Sequence, residues 1–213
     1  MRIRVAATPD LFTPEADLEP VVIDLLRFTT CVAAALHAGA TALVPCSTVE
    51  QTRTGRLPGD LLAGERDSRP IPGFDLGNSP LDFQPNRVRG RRIRTTTTNG
   101  TQAVQTAGRG LCVALVNRAA VVRHLVGGRG GVNLVCAGDQ GRFAAEDWLV
   151  AGAVVAGLRQ AGVALEPDDA ARASEAWFEV CQKDLAGTLA RTDHGGELLL
   201  QGLGQDLRAC SRL

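Results

Sequence analysis

The stretch Arg92-Ile93-Arg94-Thr95-Thr96-Thr97-Thr98-Asn99-Gly100-Thr101-Gln102-Ala103-Val104-Gln105-Thr106-Ala107 decides the fold class, because it passes from strand to helix within a few residues. Its first five residues are β-branched or tolerant of extension, Asn99-Gly100 permits a positive φ, and Ala103 to Ala107 reads helical. A junction of this kind aims backbone N–H groups and Thr and Asn side chains at one point. A helix N-terminus carries partial positive charge and unpaired donors, so Thr96, Thr97, Asn99, Gly100 and Thr101 make a candidate cradle for phosphate, sulfonate or carboxylate. The same residues also describe a Thr-rich strand end with an Asx turn and a helix cap, which needs no ligand.

Outward from this junction the pattern repeats. Arg2 to Ala6 alternates as an edge-capable strand, and Pro20-Val21-Val22-Ile23 is a buried strand closed by Asp24. A helix is expected over Cys31 to Ala38, ended by Gly39, then a short strand Ala42 to Cys46, with Ser47 or Thr48 capping the segment to Arg53. A Pro/Gly-punctuated loop runs from Asp67 to Pro80, long enough to be functional. Beyond it come a strand Leu111 to Leu115, a helix Asn117 to Val126, a turn Gly127 to Gly131, a strand Val132 to Cys136 and a long helix from about Phe143 to Ala161. The rest reads as helical, broken at Gly195-Gly196 and Gly202 to Gly204. Strands alternating with helices predict one α/β domain over residues 1–213, with a mostly parallel sheet that binds ligands beyond its carboxyl strand ends.

Lys+Arg and Asp+Glu balance at 23 each, so no overall field gathers nucleic acid or an anionic membrane. The six cysteines form no Cys-x-x-Cys pair and sit mostly in apolar runs, and no apolar run reaches the ~18 residues of a membrane span. These features predict a soluble protein of the reducing cytoplasm. The Ala/Gly-rich helix Ala144 to Ala161 and the apolar Leu198-Leu199-Leu200 offer surfaces for a homodimer.

Three constellations carry chemistry. Asp24, Glu65, Asp75, Asp139, Glu146 and Asp147 stand at strand ends, in the long loop or in a helix's first turns, a set of hard oxygens suited to magnesium. A carboxylate that closes an apolar strand must be paired or used, which singles out Asp24. Arg27, Arg66 and Arg142 follow strand ends and offer the planar fork that matches phosphate or carboxylate. Cys136-Ala137-Gly138-Asp139-Gln140-Gly141-Arg142 has the Cys-x5-Arg spacing of a thiolate phosphatase loop, although Phe143 stands where a hydroxyl is usual there. The histidines, His37, His124 and His194, lie away from the strand ends and read as structural.

Taken together, Val22 to Thr30, Gly64-Glu65-Arg66, Gly73-Phe74-Asp75-Leu76-Gly77-Asn78-Ser79-Pro80, Thr96 to Thr101 and Cys136 to Phe143 with Glu146-Asp147 resemble the 2-phosphosulfolactate phosphatase family. Phe28 and the prolines Pro70 and Pro72 are mild departures. The resemblance implies a three-layer α/β/α fold, magnesium dependence and hydrolysis of (2R)-2-phospho-3-sulfolactate, with related 2-phospho-hydroxyacids as alternatives. On this reading Asp24 and Glu65 hold the metal, assisted by Asp75, Glu146 or Asp147. Arg27, Thr29, Thr30, Arg66, Asn78, Ser79, the Thr96 to Thr101 cradle, Gly138 and Arg142 meet the anionic, phosphorylated substrate. Cys136 stays open as a nucleophile in a metal-free route, and a non-enzymatic carrier of a small polyanion remains the competing class.

Overall fold

The computed structural model covers residues 1–213 and describes all but Arg129. The turn expected over Gly127 to Gly131 includes that residue, which lies outside the described residues. In chain order the elements are β1 (Arg2–Ala6), β2 (Leu18–Ile23), α1 (Phe28–His37), β3 (Ala42–Pro45), α2 (Val49–Thr54), β4 (Leu61–Arg66), β5 (Arg69–Pro70), α3 (Pro85–Val88), β6 (Arg92–Thr96) and α4 (Gly100–Ala107). They continue with β7 (Leu111–Val113), α5 (Arg118–Gly127), β8 (Gly131–Cys136), α6 (Ala145–Gln160), β9 (Glu166–Pro167), α7 (Asp169–Cys181), α8 (Leu185–Ala190), α9 (Asp193–Leu200) and α10 (Gly204–Cys210).

Five strands form the central parallel sheet, in the order β7-β2-β8-β1-β9. The apolar run of β2 follows from its place between β7 and β8, where both faces are covered. Val21 and Ile23 point into the large core built with α5, α6 and α7, whereas Val22 meets Ala103 and Val104 of α4 on the opposite face. This is the α/β/α layering expected from the alternation. The first strand is not an edge, because Glu166 and Pro167 pair with Arg2 and Ile3.

The remaining strands form a second sheet, β3-β6-β4-β5, parallel except for β5, with its own small core against α1. A single sheet is therefore replaced by two, and the carboxyl ends of β2, β6, β4 and β8 supply one cleft.

Two expectations change. Gly195-Gly196 lies inside α9, since a Cβ on Gly195 would fall on the Leu189 carbonyl of α8; the glycine serves helix contact, not helix termination. The α6 helix is buried along almost its whole length, as suits a helix apolar on all sides, so it offers no dimer surface. Of Leu198-Leu199-Leu200, the first is in the core and the last is 91 % exposed. No helix among the described residues is long and apolar enough to cross a membrane, and all six cysteines are free.

Candidate active site

The turn after β2 places Asp24 by local chemistry. The Phe28 N–H, the first of α1, donates to Asp24 Oδ1 at 3.1 Å, and the Thr29 hydroxyl donates to the Asp24 carbonyl at 2.8 Å. Thr30 Oγ1 donates to the Leu25 carbonyl at 2.9 Å. Thr29 and Thr30 are thus buried fasteners of this turn, and neither is among the wall residues of the cavity described next. Gly100, at the start of α4, lies so close that a Cβ would fall on Asp24 Oδ2 and the Phe28 ring. That approach is what the glycine permits.

Asp24 opens onto a cavity of about 120 Å³ whose wall includes Arg27, Glu65, Asp67, Ser68, Asn78, Thr97, Thr98, Asn99, Asp139, His194, Glu197 and Gln201. Burial pushes the Asp24 carboxyl up to about 6; the Phe28 N–H and the His194 charge oppose the rise, and Glu65 and Glu146 add to it. Asp147 is raised well above the usual carboxylate range, by burial first and then by the charges of Asp24 and Glu146. It is not a wall residue: its two oxygens accept from Leu25 N–H at 2.8 Å and Gly138 N–H at 3.1 Å, tying the β2 and β8 turns together.

At the start of α4 the residues read as a cradle are engaged by the protein itself. The Thr98 N–H donates to Glu65 Oε1 at 2.7 Å, and Ser68 N–H donates to Glu65 Oε2 at 2.9 Å. Thr97 and Thr101 cap each other: Thr101 N–H donates to Thr97 Oγ1 at 3.1 Å and Thr101 Oγ1 donates to the Thr97 carbonyl at 3.0 Å. Asn99 binds across to the β8 turn, donating to Asp139 Oδ1 at 3.3 Å and accepting from Gln140 N–H at 3.0 Å. Arg66 donates to the Glu65 carbonyl at 2.7 Å and to Thr96 Oγ1 at 3.0 Å, and it faces a second cavity of about 350 Å³ that shares Thr97 and Thr98 with the first.

Arg27 is a buried wall residue. Its Nη1 donates to Asp206 Oδ2 at 2.6 Å and its Nη2 to the Ser68 carbonyl at 3.0 Å, while Ser79 Oγ donates to Asp206 Oδ1 at 2.7 Å. Ser79 therefore supports the wall from behind.

Several expected residues are elsewhere. Asp75 accepts from Leu62 N–H at 2.8 Å and pairs with Arg56, on the amino-terminal half of β4. That is roughly 10 Å along the strand from Glu65, and it takes Asp75 out of the metal set. Arg142 is an exposed side chain paired with Asp139 at 3.3 Å. Cys136 is fully buried in the α6-side core, and burial, with the Asp147 and Glu146 charges, raises its thiol well above its ordinary value. Such a thiol is neither exposed nor ionised enough to attack. Glu146 is engaged with His194, whose Nδ1 lies 3.5 Å from Glu146 Oε1.

His194, read from the sequence as structural, lies on the cavity wall, and Asp206, which the sequence reading passed over, stands behind Arg27. Thr192 caps α9 by accepting from Gly195 N–H at 3.1 Å, which sets His194 in the first turn, facing the cavity. Burial lowers the His194 imidazole, but the hydrogen bond and charge of Glu146, with Asp24 and Asp139, outweigh it and leave the group raised.

Carboxylates gathered at the carboxyl ends of parallel strands, beside a helix N-terminus and a buried arginine, stand where open α/β sheets place their ligand sites. Residues 7–213 match the family model described as 2-phosphosulpholactate phosphatase. Proteins named "Probable 2-phosphosulfolactate phosphatase" are similar throughout. That of Deinococcus radiodurans is 39 % identical over 220 residues, all of this chain and 90 % of the relative. That of Thermotoga petrophila is 37 % identical over 193 residues, 90 % of this chain and 83 % of the relative. That of a Synechococcus strain is 43 % identical over 208 residues, 91 % and 84 % of the two chains. The chain belongs to the 2-phosphosulpholactate phosphatase family and is a phosphoric monoester hydrolase.

Proposed function

We propose that this enzyme is a magnesium-dependent phosphatase that hydrolyses (2R)-2-phospho-3-sulfolactate, or a closely related 2-phospho-hydroxyacid, to the hydroxyacid and phosphate. The observation that carries the metal is the charge of the cavity wall. Asp24, Glu65, Asp67, Asp139 and Glu197 face only Arg27 and His194 as cationic groups. A phosphate ester that also bears carboxylate and sulfonate would be repelled from such a wall without a divalent cation. Among the described residues no three His, Cys, Asp or Glu side chains converge as a ready metal cage. This suits magnesium, which takes one or two carboxylates and leaves its other positions to water and substrate phosphate.

Asp24 and Glu65 would hold the ion, since both face the cavity and each lies within the other's field. Bound there, magnesium supplies positive charge that draws in the phosphate and offsets charge on the transferring phosphoryl group. The chain's own residues do the positioning. Phe28 N–H fixes Asp24, Thr98 and Ser68 N–H groups fix Glu65, and Asp206 fixes the fork of Arg27 for an anionic substituent. Arg66 and the adjoining cavity past Thr97 and Thr98 give room for a second anionic end, as a three-carbon substrate with three acidic groups needs. The burial of Asp24, Arg27 and Glu65 strengthens the contacts they make. The free cysteines suit a reducing cytoplasm.

Phosphate release from phosphosulfolactate and from phospholactate, measured after exhaustive chelation and again with magnesium restored, tests this function. Turnover should vanish and return. Full activity in the chelated enzyme would sink the metal reading.

A further inference from the structure

We propose that Asn99 is a positioning residue rather than a substrate ligand: its side-chain amide clips the turn after β8 to the start of α4 and so holds Asp139 on the cavity wall. Its effect on turnover rests on the phosphatase reading above, whereas the clip itself is a property of the fold.

Asn99 stands where a helix cap is expected, between β6 and α4, yet among the described residues its side chain does not cap that helix. Thr97 does so instead, accepting from Thr101 N–H at 3.1 Å. The Asn99 amide is thereby free to reach 40 residues along the chain, donating to Asp139 Oδ1 at 3.3 Å and accepting from Gln140 N–H at 3.0 Å. The need for it lies in the turn. Asp139 and Arg142 exchange both backbone hydrogen bonds at 2.9 Å, and the two residues between them, Gln140 and Gly141, have φ of 50° and 78°. Positive φ at both central positions is what a type I′ hairpin turn requires, and Asn or Gly adopts the first of them more readily than Gln. Such a turn uses the N–H groups of its two end residues and points that of its first central residue outward, where it needs an acceptor. Asn99 Oδ1 is that acceptor.

The clip joins parts of the fold that strand pairing leaves separate. β6 lies in the second sheet and β8 in the central one, so no ladder fixes their turns against each other. Beside the ligand cavity is a hollow of about 270 Å³, reaching past Pro9, Asp10 and Gly141, that shares Thr98, Asn99 and Gln140 with it. The Asn99–Gln140 bond is therefore a partition between the two. Asp139 is otherwise held by Arg142, whose side chain is 74 % exposed and lies 3.3 Å away, a contact that solvent weakens. Without Asn99 both the carboxylate and the left-handed turn that carries it lose their inner support.

Asn99→Ala and the isosteric Asn99→Asp are compared with wild type by two measurements. In the first, amide exchange is followed by NMR on the metal-free protein. The Gln140 N–H should exchange about tenfold or more faster in Asn99→Ala than in wild type, with the amides of Ala103 to Ala107 unchanged, since Asn99 does not cap α4. Asn99→Asp keeps an acceptor for Gln140 but sets a carboxylate against Asp139, so it should retain the protection and still lose turnover. In the second, phosphate release from phospholactate with magnesium should show kcat lowered about 10- to 100-fold in both variants and KM within about threefold of wild type, the pattern of a misplaced group and not of lost substrate binding. A raised KM with kcat unchanged would make Asn99 a substrate ligand and overturn the proposal. Unchanged Gln140 exchange in Asn99→Ala, or wild-type kcat in Asn99→Asp, would overturn it too. Wild-type enzyme inert to phospholactate and phosphosulfolactate would remove the phosphatase reading, and the exchange result would still decide the clip.

Discussion

Replacing Asp24 by Asn should make the metal-free protein more stable at neutral pH while destroying its activity. The carboxyl is pushed up to about 6 from an ordinary 3.8, mainly by burial. The native state therefore binds this proton more tightly than the unfolded chain does. The stability linked to that proton is fully present below the unfolded value, declines as pH rises above it, and is lost once pH has passed through about 6. By linkage the ionised carboxylate costs roughly 3 kcal/mol at pH 7 and about half of that at pH 5. Asn retains an oxygen for the Phe28 N–H and removes the charge that also raises Asp147. Urea unfolding in the presence of a chelator should show the variant ahead by about 1 to 3 kcal/mol at pH 7, with the gap closing toward pH 5. Magnesium should stabilise the wild type and not the variant. A variant no more stable than wild type at pH 7, or a gap that does not change with pH, would refute the assignment of Asp24 as an uncompensated buried carboxylate.

Cys136→Ser should keep turnover within about tenfold of wild type, because the thiol is sealed in the core and can act only through packing; a folded, magnesium-binding and inactive variant would restore the nucleophile. Asp206→Ala should cost about 3 to 5 kcal/mol, since it leaves Arg27 buried and unpaired, whereas the double change Arg27→Met with Asp206→Leu should recover most of that loss in a thermal-unfolding cycle. Strictly additive single effects would show that the pair is not coupled.

What could be read in advance follows from periodicity. The run Val21-Val22-Ile23 ending in Asp24 announced a central parallel strand and a carboxylate at its ligand-binding end, and the change of pattern across Thr96 to Thr101 announced the β6–α4 junction. The division into two sheets was not legible, because a strand-helix alternation looks the same whether the next strand joins the old sheet or starts a new one. Asp75 was misleading for a related reason: it is close in sequence to Glu65, but the loop doubles back to Leu62 and carries it away from the strand's carboxyl end. For Cys136 the Cys-x5-Arg spacing left a nucleophile open, although a packing signal was present. Val132, Leu134 and Cys136 share one face of β8, so alternation alone sends the thiol into the same core as its apolar neighbours. His194 and Asp206 carried no comparable signal. Each sits on a short helix near the chain's end, and neither caps nor amphipathic pattern states that α9 and α10 dock against turns more than 100 residues earlier in the chain. The local rules therefore recover the residues that strands place at their own ends, and they miss the partners that long-range helix docking brings to them. In this site those partners are Asp206, which orients Arg27, and His194, whose charge opposes the rise that burial imposes on Asp24.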